Sequence, residues 1–120
     1  MPEYEVIRGA TRIQAPGGKL IEELFGRVAN GEERFSLAHM VAPGRWTEPP
    51  QRPGFGELTL VLKGRLRIDV GGDEVTLGAG EAIWVEPGVR VHYGNPFDEE
   101  CEYYALCLPA FSPELAGREG

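Results

Sequence analysis

Polar side chains cluster in a glycine- and proline-rich stretch, residues 44–56, and at the start of the apolar segment that follows it. The stretch contains Glu48, Gln51 and Arg52, and the apolar segment begins with Glu57. A carboxylate, an amide and a guanidinium close together can bind the hydroxyl or carboxylate groups of a small molecule. A carboxylate among apolar neighbours can also exchange protons with a ligand, because burial favours its protonated form.

The segment from Glu57 to Lys63 has the two-residue alternation of a β-strand. This period places Glu57, Thr59 and Val61 on one face and a row of leucines, Leu58, Leu60 and Leu62, on the other. We expect one face to point into the protein and the other to pack against a second sheet or a partner chain.

Short apolar segments separated by Gly, Pro and Asn turns run through most of the chain, which is typical of an antiparallel sandwich or barrel. Asn30-Gly31 predicts a hairpin, and Ser112 followed by Pro113 predicts one short helical turn near the C-terminus. The predicted strands are Tyr4–Ile7, Glu22–Val28, Arg34–Val41, Glu57–Lys63, Arg65–Val70, Glu74–Leu77, Glu81–Val85, Arg90–Tyr93 and Glu102–Leu108.

The size and charge of the chain limit the classes of function. A length of 120 residues predicts a single domain, residues 1–120, and the net charge of −7 argues against nucleic acid and anionic membrane partners. No apolar run is long enough to span a membrane, and the acidic start, residues 1–5, is unlike a secretory signal, so we expect a cytoplasmic protein.

Cys101 and Cys107 are six residues apart in one predicted strand, roughly 20 Å, so we expect free thiols.

The turns and the glutamate match two sequence motifs that together identify a family. The chain resembles the cupins over residues 35–108, and this resemblance implies an antiparallel jelly-roll barrel. One motif proline is displaced, because Glu86 holds its position and Pro87 follows it. The matching residues are Gly44, Glu57, Gly64, Gly80, Gly88 and Asn95.

Cupins usually hold a divalent metal with three histidines and the motif glutamate. Pro50, Arg52 and Val91 stand at the three histidine positions, so only Glu57 remains of the ligand set. Proline and valine side chains have no donor atom, and arginine stays protonated. We therefore predict no bound metal cofactor. The alternative is a divalent metal held by Glu57 and His92, with help from Glu48.

Alternation also predicts the direction of the two histidines and their neighbours. If Val91 faces the barrel interior, Tyr93 does too and His92 points outward, unless a bulge near Gly94 reverses them. His39 is alone in its strand and is interpreted as a hydrogen-bonded histidine on a sheet face. The large aromatic residues Trp84, Tyr93, Tyr103 and Tyr104 are predicted to lie in the core.

The resemblance implies that the glutamate face lines the barrel interior. There, Glu57 is expected to be protonated or paired with Arg52. Glu57 and Tyr93 are the candidates for acid-base chemistry. The predicted ligand-binding residues are Glu48, Gln51, Arg52, Glu57, Thr59 and Tyr93.

Three functions remain open from the sequence. The first is a cupin that binds a small polar metabolite without a tightly bound metal. The second is a metal-dependent isomerase, lyase or dioxygenase that acts on a small oxygenated metabolite. The third is a structural or sensing module whose leucine row pairs two copies of the chain in a homodimer through their sheet faces.

Overall fold

Two antiparallel sheets form the protein in the computed structural model, which describes residues 3–119. Met1 and Pro2, the beginning of the acidic start, lie outside the described residues, as does Gly120. The strands are β1 (Thr11–Ile13), β2 (Leu20–Phe25), β3 (Ser36–Ala42), β4 (Trp46–Thr47), β5 (Gly56–Lys63), β6 (Leu66–Val70), β7 (Asp73–Leu77), β8 (Ala82–Val85), β9 (Val91–Asn95) and β10 (Cys101–Leu108). The prediction of an all-β jelly roll is confirmed.

The strand order explains how the barrel closes. One sheet has six strands in the order β1-β2-β3-β10-β5-β8, and the other has four in the order β4-β9-β6-β7. Their inner faces share one apolar core, in which Val61 and Tyr103 of the larger sheet pack with Leu66, Ile68 and Val91 of the smaller one. Side chains that point inward from either sheet therefore meet in the same interior.

Gly64 carries the chain from the larger sheet to the smaller one. It lies between β5 and β6 with a φ of 75°, a backbone conformation that side chains with a Cβ rarely adopt. A Cβ at this position would lie 2.4 Å from the carbonyl oxygen of Glu100. Only glycine allows β5 and β6, which are adjacent in sequence, to lie in different sheets here.

The N-terminal predictions require two corrections. No strand forms at Tyr4–Ile7; this segment lies on the surface without a partner strand, and the first strand is β1. The strand predicted at Glu22–Val28 spans Leu20–Phe25 instead. Beyond Phe25 the chain turns, and the Glu23 carboxylate accepts the backbone N–H groups of Val28 and Ala29 in this turn, both at 3.0 Å.

The C-terminal segment covers one end of the barrel. The predicted helical turn is present as α1 (Pro113–Ala116), with the Ser112 hydroxyl accepting the N–H of Leu115 at 3.2 Å. The backbone N–H groups of Arg52 and Gly54 donate to the carbonyls of Gly117 and Leu115 at 2.9 and 2.7 Å. These bonds fasten the segment to the polar loop, residues 44–56. Among the described residues, no helix has the length and apolar character to cross a membrane.

Candidate functional site

A cavity of about 160 Å³ lies inside the barrel beside the polar loop, and we call it the barrel cavity. Strands β1, β2, β3, β5, β9 and β10 supply its walls, and the polar loop and the C-terminal segment also contribute to its lining. Most of its lining is apolar, from residues such as Ala38, Met40, Phe55 and Ala105. Its polar side chains include Lys19, Glu48, Gln51, Glu57, Thr59 and Tyr93.

Five of the six predicted ligand-binding residues lie on the lining of this cavity. Glu57 and Thr59 reach it from β5, Tyr93 from β9, and Glu48 and Gln51 from the polar loop. The sixth, Arg52, does not: its side chain is exposed, and its guanidinium donates to the carbonyl of Gly88 at 3.5 Å. The alternative in which Arg52 pairs with Glu57 is therefore wrong, because the loop turns its guanidinium outward.

Each oxygen of the Glu57 carboxyl group accepts one hydrogen bond. The Tyr93 hydroxyl donates to Oε1 at 2.5 Å, and the Cys107 thiol donates to Oε2 at 3.4 Å. Burial raises the pKa of Glu57 above its ordinary value, although these two hydrogen bonds and the positive charge of Lys19 act in the opposite direction. The arrangement fixes the carboxyl group in place and favours its protonated form.

Tyr93 and Thr59 lie next to Glu57 but differ in their partners. Burial, followed by the charge of Glu57, raises the pKa of the Tyr93 phenol well above its ordinary value, so this phenol keeps its proton. The Thr59 hydroxyl is buried, with 1% of the residue exposed; it lies close enough to the Tyr93 phenol to lower the pKa of that phenol, but it forms no hydrogen bond of ordinary geometry with any described residue. A buried hydroxyl without a partner costs about 1–3 kcal/mol, which makes Thr59 an exception that calls for a ligand or a solvent molecule.

Lys19 contributes a positive charge that the sequence analysis did not predict. Its side chain is only 6% exposed, and its Nζ lies 4.5 Å from the ring centroid of Trp46 and 5.2 Å from that of Tyr103. The nearest carboxylate oxygen is Glu48 Oε2, at 3.7 Å. Burial lowers the pKa of Lys19, and the Glu48 carboxylate partly offsets this effect. The aromatic faces and Glu48 together stabilise the ammonium group.

The structure brings neither histidine to Glu57. Val91 and Tyr93 point inward, as predicted, and His92 points outward, where its Nε2 lies 3.0 Å from the Thr47 hydroxyl. His39 lies on the outer face of the larger sheet, and its Nε2 is 2.8 Å from a Glu102 carboxylate oxygen. The alternative metal pair of Glu57 and His92 is therefore not formed, because the two side chains leave β5 and β9 on opposite sides of the barrel wall.

The remaining thiol and aromatic predictions have mixed outcomes. Cys101 and Cys107 are both buried free thiols, as predicted. Tyr93 and Tyr103 lie in the interior, also as predicted. Trp84 and Tyr104 do not. Trp84 is 44% exposed on the outer face of the larger sheet, where its indole N–H donates to the Glu86 carboxylate. Tyr104 is only partly buried on the same outer face, with its ring centroid 5.3 Å from that of His39.

The side chains of the barrel cavity do not fit a metal ion. Among residues 3–119, no group of three or more His, Cys, Asp or Glu side chains converges on one point. Pro50 and Val91 offer no side-chain donor atom, and the Lys19 ammonium already supplies a positive charge to the cavity. A second cation would be repelled by that charge. Glu57 is also engaged by Tyr93 and Cys107 rather than left free for coordination.

Comparison with known families decides the classification. Residues 38–108, more than half of the chain, match the family described as Cupin domain. The protein belongs to the cupin domain family. The matched range agrees with the range over which the two sequence motifs indicated the resemblance.

Individual cupin relatives agree on the fold and diverge in their names. A variant of oxalate decarboxylase from Bacillus subtilis superimposes with a TM-score of 0.78 at 14% identity, covering 98% of this chain and 34% of that one. KdgF from Halomonas sp. superimposes with a TM-score of 0.73 at 10% identity, covering 88% of this chain and 91% of that one. Identities this low show a shared fold and carry no information about the reaction.

A curated relative is closer in sequence but much longer. This chain is 42% identical over 113 residues to a protein of Myxococcus xanthus (strain DK1622) named Endoribonuclease YbeY. The match covers 94% of this chain and 38% of that protein. The chain thus spans well under half of the relative, and the relative's named activity belongs to the longer protein.

Proposed function

We propose that this cupin domain binds a small polar organic molecule in the barrel cavity without a tightly bound metal. The observation that carries the proposal is the Thr59 hydroxyl, which is buried, lines the cavity and has no hydrogen-bond partner among the described residues. A natural protein rarely leaves such a group unsatisfied, and a ligand oxygen or nitrogen would satisfy it. Cavities of about this volume hold a molecule of roughly benzene size.

Protein NMR with a set of small polar compounds tests this proposal. We expect alcohols, amides and acids of roughly 4–8 non-hydrogen atoms to shift the backbone amide signals of Thr59, Tyr93 and Ala105 selectively. The Ala105→Leu variant fills the cavity and should abolish these shifts, because Ala105 is buried in its wall. Ala79→Leu, at an exposed turn, is the matched control. Unchanged binding by Ala105→Leu would rule out the cavity as the site.

Metal independence has a separate test. We expect elemental analysis of the purified protein to find far less than one Mn, Fe, Ni or Zn ion per chain. Added Mn²⁺ or Zn²⁺ should leave the melting temperature unchanged, because only a ligand that binds the folded state raises it. One firmly held ion per chain would support the metal-dependent alternative instead.

Proton exchange with a bound molecule is a prediction for the same site. Glu57 favours its protonated form and donates or accepts through Oε1 or Oε2, while Tyr93 keeps its phenolic proton. A ligand that displaces the Cys107 thiol from Oε2 would contact an acid whose pKa burial raises above its ordinary value. Isotope exchange at an acidic C–H bond of a bound compound would detect this activity, and Glu57→Gln should abolish it.

A second candidate function is a ligand-sensing module that works together with an endoribonuclease. The sequence identity of 42% to part of a protein with that name favours it. The net charge of −7 argues against tight RNA binding by this chain itself. We therefore expect no RNA cleavage by this chain alone. A pull-down with the remainder of the Myxococcus xanthus protein, measured with and without compounds that fill the cavity, tests the sensing role.

The outer face of the larger sheet supports a proposal about a partner. Leu58, Leu60 and Leu62 of β5 are each 37–38% exposed, and Trp84 and Leu108 beside them are each 44% exposed. An exposed apolar row of this kind is typical of a surface that another protein covers. We propose that a second copy of the chain covers it in a symmetric dimer, as the leucine row predicted from the sequence.

A further inference from the structure

Lys19 has fewer partners than its charge requires. An ammonium group has three N–H donors, and a buried charge is stable only when it is paired or hydrogen-bonded. Here the nearest carboxylate oxygen, Glu48 Oε2, is 3.7 Å from Nζ, which is longer than an ordinary hydrogen bond. The rings of Trp46 and Tyr103 contact other sides of the group. Donor capacity therefore remains toward the barrel cavity, which Lys19 lines.

Other charged groups of the cavity do not satisfy Lys19. Both carboxylate oxygens of Glu57 are occupied, one by the Tyr93 hydroxyl and the other by the Cys107 thiol. Glu23 also lines the cavity, but its Oε1 accepts two backbone N–H groups of the turn after β2. Glu48 is the one carboxylate within 4 Å of the ammonium among the described residues.

The same cavity contains a second group without a partner, on a different element. The Thr59 hydroxyl comes from β5, whereas Lys19 lies just before β2, so the two features have independent structural origins. A hydroxyl can both donate and accept, and thus suits a ligand hydroxyl, carbonyl or carboxylate oxygen. The cavity lining therefore combines the buried Lys19 ammonium, the exposed Arg118 guanidinium and one neutral hydroxyl with mostly apolar surface, which suits a ligand with a carboxylate and one further oxygen.

We propose that Lys19 anchors the carboxylate of a short 2-hydroxy or 2-oxo monocarboxylic acid, and that Thr59 binds its second oxygen. This inference rests on the proposed function, since it names the class of molecule that the barrel cavity takes. The cavity volume of about 160 Å³ limits the acid to a short carbon chain.

Matched acids and amides test the role of the charge. Lactate and lactamide have the same size and the same hydroxyl, and only lactate is an anion at pH 7. We expect NMR titration of the wild-type protein to give at least tenfold tighter binding of lactate than of lactamide. Pyruvate should bind within a factor of ten of lactate, because either a carbonyl or a hydroxyl oxygen suits Thr59.

Variants then assign the preference to one residue. Lys19→Met should remove the preference for lactate. The double variant Lys19→Met with Glu48→Gln should have the same effect. Because the double variant leaves no unpaired Glu48 carboxylate, it is less prone to misfolding. Lys63→Met is the control, because its side chain is 80% exposed on the outer face. It removes one positive charge and should keep the full preference.

The outcomes separate this inference from the proposed function. If both compounds bind equally, or if the double variant keeps the preference for lactate, the cavity is a binding site and the role of Lys19 is refuted. If neither lactate nor lactamide shifts the signals of Thr59 and Ala105 while other polar compounds do, the ligand class is wrong. If no compound of any charge shifts them, the proposed function fails as well.

Discussion

The two faces of β5 reverse the usual distribution of polarity in a half-buried strand. The face that points into the barrel contains Glu57 and Thr59, while the face that points outward contains Leu58, Leu60 and Leu62. An ordinary strand at a protein surface has apolar residues inside and polar residues outside. Both departures have a cost. On the inner face the Thr59 hydroxyl has no hydrogen bond of ordinary geometry, and on the outer face the leucines expose apolar area. The proposed ligand inside the barrel and the proposed dimer outside it would each account for one of these departures.

The outer face gives the largest expected effect. Replacement of Leu60 by Glu should weaken self-association at least a hundredfold, measured by analytical ultracentrifugation. A symmetric dimer buries this leucine twice, so its loss removes about 3 kcal/mol or more. Thr76→Glu, on an exposed position of β7 in the smaller sheet, should leave association unchanged. A wild-type protein that stays monomeric at high concentration would contradict the proposed dimer.

The second prediction compares how much the inner and outer faces of β5 contribute to the free energy of unfolding. Val61→Ala should lower the free energy of unfolding by about 2 kcal/mol, because Val61 is completely buried in the shared core. Leu62→Ala should cost less than about 1 kcal/mol in a monomer, since Leu62 is 37% exposed. Both variants are made in the Leu60→Glu background, which keeps them monomeric, and the free energy of unfolding is measured by urea denaturation. Equal costs would mean that the outer face is part of the core of the isolated chain.

The sequence was sufficient to predict this contrast because a strand has a fixed period of two. The position of Glu57 in its motif fixed which face of β5 is inside, and Thr59 and Tyr93 followed from alternation. Trp84 of β8 pairs with the outward Leu58 and therefore shares its face, but this register is set by the sheet and cannot be derived from alternation within β8. The prediction for Trp84 rested on its residue type instead, and it was wrong.

Residues outside regular strands were harder to predict. Arg52 lies in a loop whose backbone bonds to the C-terminal segment turn its side chain outward, and no sequence period describes that turn. Lys19 is 38 residues from Glu57 in the chain and reaches the cavity only because β2 lies in the larger sheet. A lysine directly after Gly17-Gly18 and before an apolar strand was the one available signal, and its type alone predicted exposure.

The third prediction concerns the cost of the inner polar face. Thr59→Val should raise the free energy of unfolding by about 1 kcal/mol, because a methyl group replaces a buried hydroxyl that has no partner. Ser36→Ala should lower it by a similar amount, since the Ser36 hydroxyl, on the same cavity wall, accepts the N–H of Phe111 at 2.9 Å. Thermal denaturation of the two variants tests whether their effects on the free energy of unfolding have opposite signs. Destabilisation by Thr59→Val would show that Thr59 is already satisfied without a ligand.

The smallest expected effect is a change in the pH dependence of stability. Burial raises the pKa of Glu57 above 4.5, so the folded chain keeps a proton that the unfolded chain has lost. The resulting stabilisation is complete below pH 4.5 and disappears as the pH rises through the folded-state pKa. Glu57→Gln cannot titrate and should lose less stability than the wild type from pH 4.5 to pH 7, in urea denaturation at a series of pH values. Glu99→Gln, at an exposed position, should follow the wild-type curve. Parallel curves for wild type and Glu57→Gln would mean that Glu57 is ionised in the folded barrel, and the inner face would then be charged rather than neutral.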